Sequence, residues 1–389
     1  MTKFDHRVNL PHLFRENRLS ILPVTRGDYI ISHSDAYQKF NPIESAQEAQ
    51  GECAHKTMNL PNWIQSLDYN DISSETIALN TAFAAGIFSD FLEDEHLTAT
   101  ASGRMKSGIF DFYITDSSIH DYRSIHVENS QIEVDAAYEG CASLALIEAK
   151  CNLADDFLVR QLYYPFRLWN AKITKPIRPI FFVYSNGTYR LYEYQFEHTE
   201  YYNSLQLIKH VCYTIEDTDI TTEDIQGLLH SIHTQEDPDE IPFPQADKFE
   251  RIINLCELLK DQTLTKMSIA EEYAFTLRQA DYYTNAALYL GLLKKNVQDK
   301  SYELTDRAER ILALPYKRRQ LAYARSILEH RAFFLTLTQY FSTGELPDKN
   351  SIVEYMKSCG NYHLDNESTW NRRATTIVSW INWIVGLIH

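Results

Sequence analysis

The run Leu144-Ala-Leu-Ile-Glu-Ala-Lys150 constrains the fold more than any other stretch of the chain. Residues 144–147 are apolar at four successive positions. In an extended strand neighbouring side chains point to opposite faces, so both faces of this strand need cover. A strand covered on both sides is a central strand of a layered α/β sheet. Glu148 and Lys150, two apart, then share one face while Ala149 packs on the other. The strand is thus expected to be buried until it presents two opposite charges at its end. Such charges cost several kcal/mol of desolvation unless they pair or bind a metal.

The neighbouring segments build the same layer. Ser73-Ser74-Glu75 precedes apolar residues at helical spacing, which predicts a capped helix to about residue 93. Residues 108–114, 131–138 and 143–150 read as strands, with Glu139-Gly140-Cys141 as a tight turn between the last two. Residues 153–169 read as a helix, and strands at 176–185 and 189–196 flank the hairpin turn Asn186-Gly187. The order is helix, three strands, helix, two strands, an α/β layer with a mixed sheet. Ahead of it, residues 26–31 suggest a hairpin edge. The basic, glycine-flanked stretch 102–108 is expected as a loop whose Arg104 and Lys106 suit a phosphate or a base edge.

Pro238, Pro242 and Pro244 fall within an acidic stretch that has no apolar period, so residues 236–247 read as a linker. Charge shifts at the same place. The chain carries a net −16, yet residues 246–389 hold 19 Lys+Arg against 17 Asp+Glu, so the excess acid lies in front. An acidic total therefore does not exclude nucleic acid, because phosphate binding depends on local charge. Beyond the linker, helices at 249–259, 268–275 and 278–294 and a hairpin at 297–304 outline a winged helix-turn-helix. Arg278, Gln279, Tyr282 and Asn285 open its third helix, where side chains reach base edges. Lys300, Arg307, Arg310, Lys317, Arg318 and Arg319 form a basic cluster suited to phosphates. Four segments follow: an N-terminal region with the α/β domain (1–235), the linker (236–247), a DNA-binding winged helix (248–320) and a C-terminal helical domain (321–389).

A hairpin through Gly140 brings Asp135 beside Glu148 and Lys150. Two carboxylates, with the carbonyl of residue 149, suit Mg²⁺, a hard cation that takes oxygen ligands and keeps waters for phosphate. Such a metal lowers the pKa of bound water, and Lys150 would orient that water or stabilise developing charge. Glu133, two residues before Asp135, is a possible additional ligand. The bland alternative is a salt-bridged Glu-x-Lys pair. Against it stand the buried flanks, the Asp on the preceding strand and the helix that follows.

Asp135 and Glu148-Ala149-Lys150 in this setting resemble the PD-(D/E)xK nuclease superfamily, whose core is a helix, three strands, a helix and a strand. Val134 stands where the superfamily's proline would be. Gln161 and Tyr164 look like the Gln-x-x-Tyr element that contacts DNA in some members. The resemblance implies Asp135 and Glu148 as metal ligands with Lys150 as the third catalytic residue. It further implies a Mg²⁺-dependent type II restriction endonuclease, a homodimer on double-stranded DNA, with a cognate DNA methyltransferase as genetic partner. The expected fold is accordingly a restriction-endonuclease-like α/β core with a mixed sheet, plus a mainly helical winged-helix region. Two other readings compete: a DNA-binding regulator with a non-catalytic α/β domain, and a nuclease for modified or branched DNA.

Other classes are disfavoured. No apolar run reaches the roughly 20 residues of a membrane span, and the polar N-terminus has no signal core. The six cysteines form no CxxC pair or zinc pattern, so free thiols in the cytoplasm are expected. No GxGxxG or GxxxxGK[ST] loop exists to cradle a nucleotide.

Overall fold

Ser74 opens the first long helix, Glu75–Ala84, by accepting a hydrogen bond from the Ile77 N–H at 3.3 Å. The helix expected to reach residue 93 breaks at Gly86, whose φ of +76° suits glycine, and resumes as Ile87–Leu92. The computed structural model describes residues 4–40, 54–215, 219–238, 240–273, 275–359 and 367–388. Cys53, Asp239 and Ala274, which the sequence expectations include, lie outside them. The chain divides into two compact units, residues 1–216 and 217–389.

The first unit is built on a seven-stranded mixed sheet. Its strands are β1 (Ala54–Thr57), β2 (Thr98–Lys106), β3 (Gln131–Glu139), β4 (Leu144–Lys150), β5 (Ile177–Ser185), β6 (Thr188–Phe196) and β7 (Leu205–Thr214). They lie in the order β1-β7-β6-β5-β4-β3-β2, with β4 parallel to β5 and β1 parallel to β7. As its composition requires, β4 is buried on both sides. Ala145, Ile147 and Ala149 pack with Leu79, Phe88 and Phe91 of the two helices. Leu144 and Leu146 pack on the other face with Trp169 of the Arg160–Asn170 helix. At the β5–β6 turn Asn186 and Gly187 both take positive φ, 54° and 75°, as a two-residue hairpin loop demands. Gly140 sits so close to Asp94 that a Cβ there would come within 2.3 Å of its Oδ2, so a larger residue in the β3–β4 turn would have to displace that side chain.

Three expectations are corrected in this unit. The strand beside β3 is β2, so the stretch carrying Arg104 and Lys106 is an edge strand and not a loop. The strand read at 108–114 exists as Ile109–Asp116, but it pairs with Asp121–Glu128 in a separate hairpin. The helix read at 153–169 begins only at Arg160, because Asp156–Leu158 pairs as a strand with Tyr37–Lys39. The hairpin edge at 26–31 is present, with Ser20–Pro23 pairing to Tyr29–Ser32.

In the second unit, Thr222–Ser231 starts with a capping box between Thr221 and Asp224. The stretch 236–247 is no free tether. Phe243 and Ala246 are buried, the Ala246 carbonyl accepts from Trp380 Nε1 at 2.6 Å, and Asp237 meets His330 Nδ1 at 2.5 Å. Phe243, Pro244 and Ala246 thus anchor this stretch to the core of the unit, and the division between units falls ahead of it. Helices Phe249–Leu258, Lys266–Glu272 and Leu277–Tyr289 follow, with a three-stranded sheet in the order Leu264–Thr265, Ser301–Leu304, Leu293–Lys295. Helices from Asp306–Leu312 through Glu367–Val385 close one continuous core, in which Trp380 is fully buried. Among the described residues no helix is long and apolar enough to cross a membrane. Cys141, Cys151, Cys256 and Cys359 are in no disulfide, whereas Cys212 is disulfide-bonded, which corrects the all-thiol expectation. Spacing rules detect cysteines close in sequence and miss pairs that only folding brings together.

Candidate active site

Pairing between β3 and β4 ends at Ala136–Ile147. Just past that point the Asp135 carboxylate accepts the Ala149 N–H at 2.7 Å, closing the fork between the two strands. On β4, Lys150 Nζ donates to Glu148 Oε1 at 2.6 Å and to the Ala149 carbonyl at 3.0 Å. Gln161, in the first turn of the Arg160–Asn170 helix, donates its side-chain N–H to the same Glu148 oxygen. Strand alternation thus delivers the three charges that the sequence grouped together, and the helix covering that face adds Gln161.

These groups line a pocket of about 230 Å³, together with Asp5, Glu75, Glu133 and Arg160. Five carboxyl groups therefore face two cations. Glu75, which sequence reasoning missed, reaches the cleft from the first position of its helix and accepts the Cys151 N–H. Its only sequence signal was a Glu after Ser-Ser, the ordinary look of a helix start.

Burial dominates the electrostatics. It pushes Asp135, Glu148 and Glu75 above the usual carboxylate range, with Lys150 working against the rise in each case. For Lys150 burial acts to lower the pKa, but Glu148, Glu75 and Asp135 outweigh it and hold the ammonium above its ordinary value. An ammonium fixed as a charge is a donor, not a general base. The surplus of buried carboxyl groups would repel a phosphodiester unless a cation offsets it. All the surplus donors are hard oxygens, the set that Mg²⁺ prefers. As placed, Glu148 Oε1 and the Ala149 carbonyl are taken by N–H donors. Among the described residues no group of three or more His, Cys, Asp or Glu is positioned to hold a metal ion.

The remaining candidate residues are distributed as follows. Glu133 is exposed and pairs with Arg104 of β2 at 3.3 Å, beside the cleft. Lys106 is exposed on the same edge strand. Tyr164 is fully buried, its hydroxyl donating to the Pro23 carbonyl at 2.9 Å, so it belongs to the core and is not a DNA contact. In the second unit Arg278 is exposed and lies 5.3 Å from the Tyr282 ring. The Gln279 side chain caps its own helix by accepting from Thr276 N at 2.9 Å, and Asn285 is half-buried. Arg318 is exposed, but Arg319 is buried and donates to the Leu312 carbonyl, which removes it from any phosphate. The expected basic cluster is thinned further, since Arg307 pairs with Glu329 and Lys317 with Asp224.

Three family models match the chain, each described as a domain of unknown function: DUF6996 over residues 1–31, DUF6997 over 32–214 and DUF7226 over 251–389. No curated protein and no solved structure matches it. Glu75, Asp135, Glu148, Lys150 and Gln161 all lie within the DUF6997 match, so the whole constellation belongs to one matched domain.

Proposed function

We propose that the chain is a Mg²⁺-dependent deoxyribonuclease of the PD-(D/E)xK kind, acting as a type II restriction endonuclease at a short specific sequence in double-stranded DNA. The observation that carries this reading is the convergence of Asp135, Glu148, Lys150 and Gln161 at the β3–β4 fork. With the Ile87–Leu92 helix, the Ile109–Asp116/Asp121–Glu128 hairpin and the Asp156–Leu158 strand taken as insertions, the order Glu75–Ala84, β2, β3, β4, Arg160–Asn170, β5 supports it, matching the helix, three strands, helix and strand of that superfamily. In the second unit, three helices and a three-stranded sheet in the order first-third-second support a winged helix.

Asp135, Glu148 and the Ala149 carbonyl would hold Mg²⁺, which supplies an acidified water and neutralises charge on the phosphate. Lys150 would donate toward the attacking oxygen or toward the phosphate oxygens on which negative charge develops. Gln161 orients Glu148 through its side-chain N–H. Two-fold pairing of chains would match a palindromic site.

Digestion of unmethylated phage DNA with Mg²⁺, with EDTA, and with Lys150→Ala tests the proposal. Discrete bands from the wild type with Mg²⁺ alone are expected. A smear would keep the nuclease and remove sequence specificity. Intact DNA, together with intact methylated and junction substrates, would sink the catalytic reading. That outcome would favour the second reading, a DNA-binding regulator, in which Lys150 permanently occupies the oxygens of Glu148 and Ala149.

A further inference from the structure

A second pocket, of about 190 Å³, shares Asp5 and Arg160 with the active-site cleft. The two differ in the sign of their charge. Five carboxyl groups face two cations in the cleft, whereas Arg26 and Arg160 face Asp5 alone in the second pocket. Among the described residues neither guanidinium enters an ion pair or donates to an acceptor. By contrast Arg7, Arg104, Arg123 and Arg178 of the same unit each meet a carboxylate.

The surroundings hold both arginines without neutralising them. Arg26 lies in the turn of the N-terminal hairpin, where the Thr25 hydroxyl donates to Asp28 Oδ2 at 2.7 Å and accepts the N–H groups of Gly27 and Asp28. The carboxylate nearest in sequence is therefore engaged by threonine and not by arginine. Arg160 lies over the ring of Tyr164, 5.7 Å from its centroid. The Tyr164 hydroxyl donates to the carbonyl of Pro23, just ahead of the Arg26 turn. One buried tyrosine thus ties together the two segments that carry the cations.

A guanidinium is a planar fork of N–H donors that matches phosphate oxygens, and two of them against one carboxylate leave the pocket net positive. A strand with one phosphate in the cleft brings a neighbouring phosphate close to it. The cleft, with its surplus of carboxyl groups, offers that neighbour no countercharge; the adjoining pocket does.

We propose that Arg26 and Arg160 form a phosphate clamp, gripping a phosphate group of the strand that enters the cleft. The proposal rests on the nuclease reading for the strand. It gives the N-terminal matched domain, which supplies Asp5 and Arg26, a share in substrate binding.

The test uses the full chain with Lys150→Ala as parent, so that Mg²⁺ can be present while strands stay intact. Three labelled strands of equal length serve as probes: oligothymidylate, a base-free deoxyribose-phosphate chain, and oligothymidylate with an uncharged methylphosphonate backbone. Fluorescence anisotropy gives affinity across a salt series, with phage-DNA cleavage measured in parallel on chains that keep Lys150. The first two probes are expected to bind alike and the third to fail. Arg26→Ala and Arg160→Ala should each flatten the slope of log K against log salt by about 0.7, the share of one phosphate contact on a single strand. Arg26→Lys should restore most of that slope, and Arg15→Ala, an exposed arginine outside the pocket, should leave it unchanged. Arg26 is exposed, so its variants keep the test valid if Arg160→Ala does not fold. Stronger binding of a 5′-phosphorylated strand, lost in Arg26→Ala, would assign the clamp to a strand end; equal binding would assign it to an internal phosphodiester. Slopes unchanged in both pocket variants overturn the proposal, as does equal flattening by Arg15→Ala. Binding that needs bases and is lost in the pocket variants overturns the choice of phosphate. Phage DNA cut by a protein whose slope ignores both arginines overturns the clamp and leaves the nuclease standing. A slope that responds to them in a protein that cuts no DNA does the reverse.

Discussion

Lys150 sits between three carboxyl groups in a site where burial disfavours every charge, so its ammonium and their negative charge stabilise one another. Removing it leaves Glu148 buried, but a carboxyl group already raised by burial can take up a proton, so Lys150→Ala is expected to fold. Its far-UV circular dichroism should match wild type while Mg²⁺-dependent cleavage falls by about a hundredfold to a thousandfold, the loss typical of one missing charge-stabilising donor. Asp135→Asn should behave alike; a variant at either position that cuts DNA at the wild-type rate would remove that residue from the chemistry. Glu75→Gln gives a finer test. If Glu75 helps set the negative charge of the cleft, the Mg²⁺ concentration for half-maximal cleavage should rise severalfold, read from a metal titration; an unchanged curve would reduce Glu75 to a helix-start residue. Asp135, Glu148 and Lys150 were legible because strand alternation and one tight turn fix their placement. Glu75 was not, because a helix-start Glu carries no mark of what its carboxyl group faces. Tyr164 and Arg319 misled for a related reason: helical spacing does not say which face a neighbouring element will cover.

Among the elements, β4 and the Asn186-Gly187 hairpin could be read directly, since a double-sided apolar run and an obligate positive-φ pair leave little choice. The edge strand β2 could not. Thr98-Ala-Thr-Ala-Ser-Gly-Arg-Met-Lys106 alternates, but its apolar positions are mostly small (Ala99, Ala101, Gly103, Met105), and none of its nine residues is fully buried. It is held by pairing to β3, which is information from another part of the chain. β7 was missed too, and it carries a pH-dependent contribution. His210 stacks on Tyr192 with ring centroids 4.0 Å apart, and burial, helped by Arg190 and His55, lowers its pKa to about 4. Because the unfolded imidazole titrates at its ordinary 6.5, the stabilisation from a neutral His210 is complete above that pH. It is lost as pH falls toward about 4, since the unfolded chain takes the proton first. His210→Phe keeps an aromatic ring against Tyr192 and has no proton to bind. The variant should therefore gain stability relative to wild type as pH drops from 6.5 to 4, by on the order of 2–3 kcal/mol at the acid end. Denaturant midpoints across that range check it, and a difference that stays constant with pH would mean His210 is not the titrating group.

At the scale of the molecule the two units have separate hydrophobic cores, one assembled from residues 217–389 and the others from the first 216. The charge does not follow that division: residues 1–216 hold 18 Lys+Arg against 28 Asp+Glu and residues 217–389 hold 19 against 25, so both units are acidic and only the stretch 246–389 is slightly basic, 19 against 17. Under the proposed nuclease reading, sequence-independent affinity for duplex DNA should reside in the slightly basic stretch 246–389 of the second unit, since acidic surface repels the phosphate backbone. There the arginines differ sharply in availability. Arg278 and Arg318 are exposed, while Arg319 is buried and Arg307 is paired with Glu329. Residues 217–389 expressed alone should bind duplex DNA with an affinity that falls steeply with salt. Each phosphate contact contributes about −0.9 to the slope of log K against log salt, so Arg278→Ala and Arg318→Ala should each flatten it by about one unit. Arg319→Ala should instead lower the melting temperature, because it removes a buried side chain whose guanidinium donates to the Leu312 carbonyl. A slope unchanged in both exposed-arginine variants would mean that neither arginine contacts phosphate. A slope carried entirely by residues 1–216 would reverse the division of labour argued from charge.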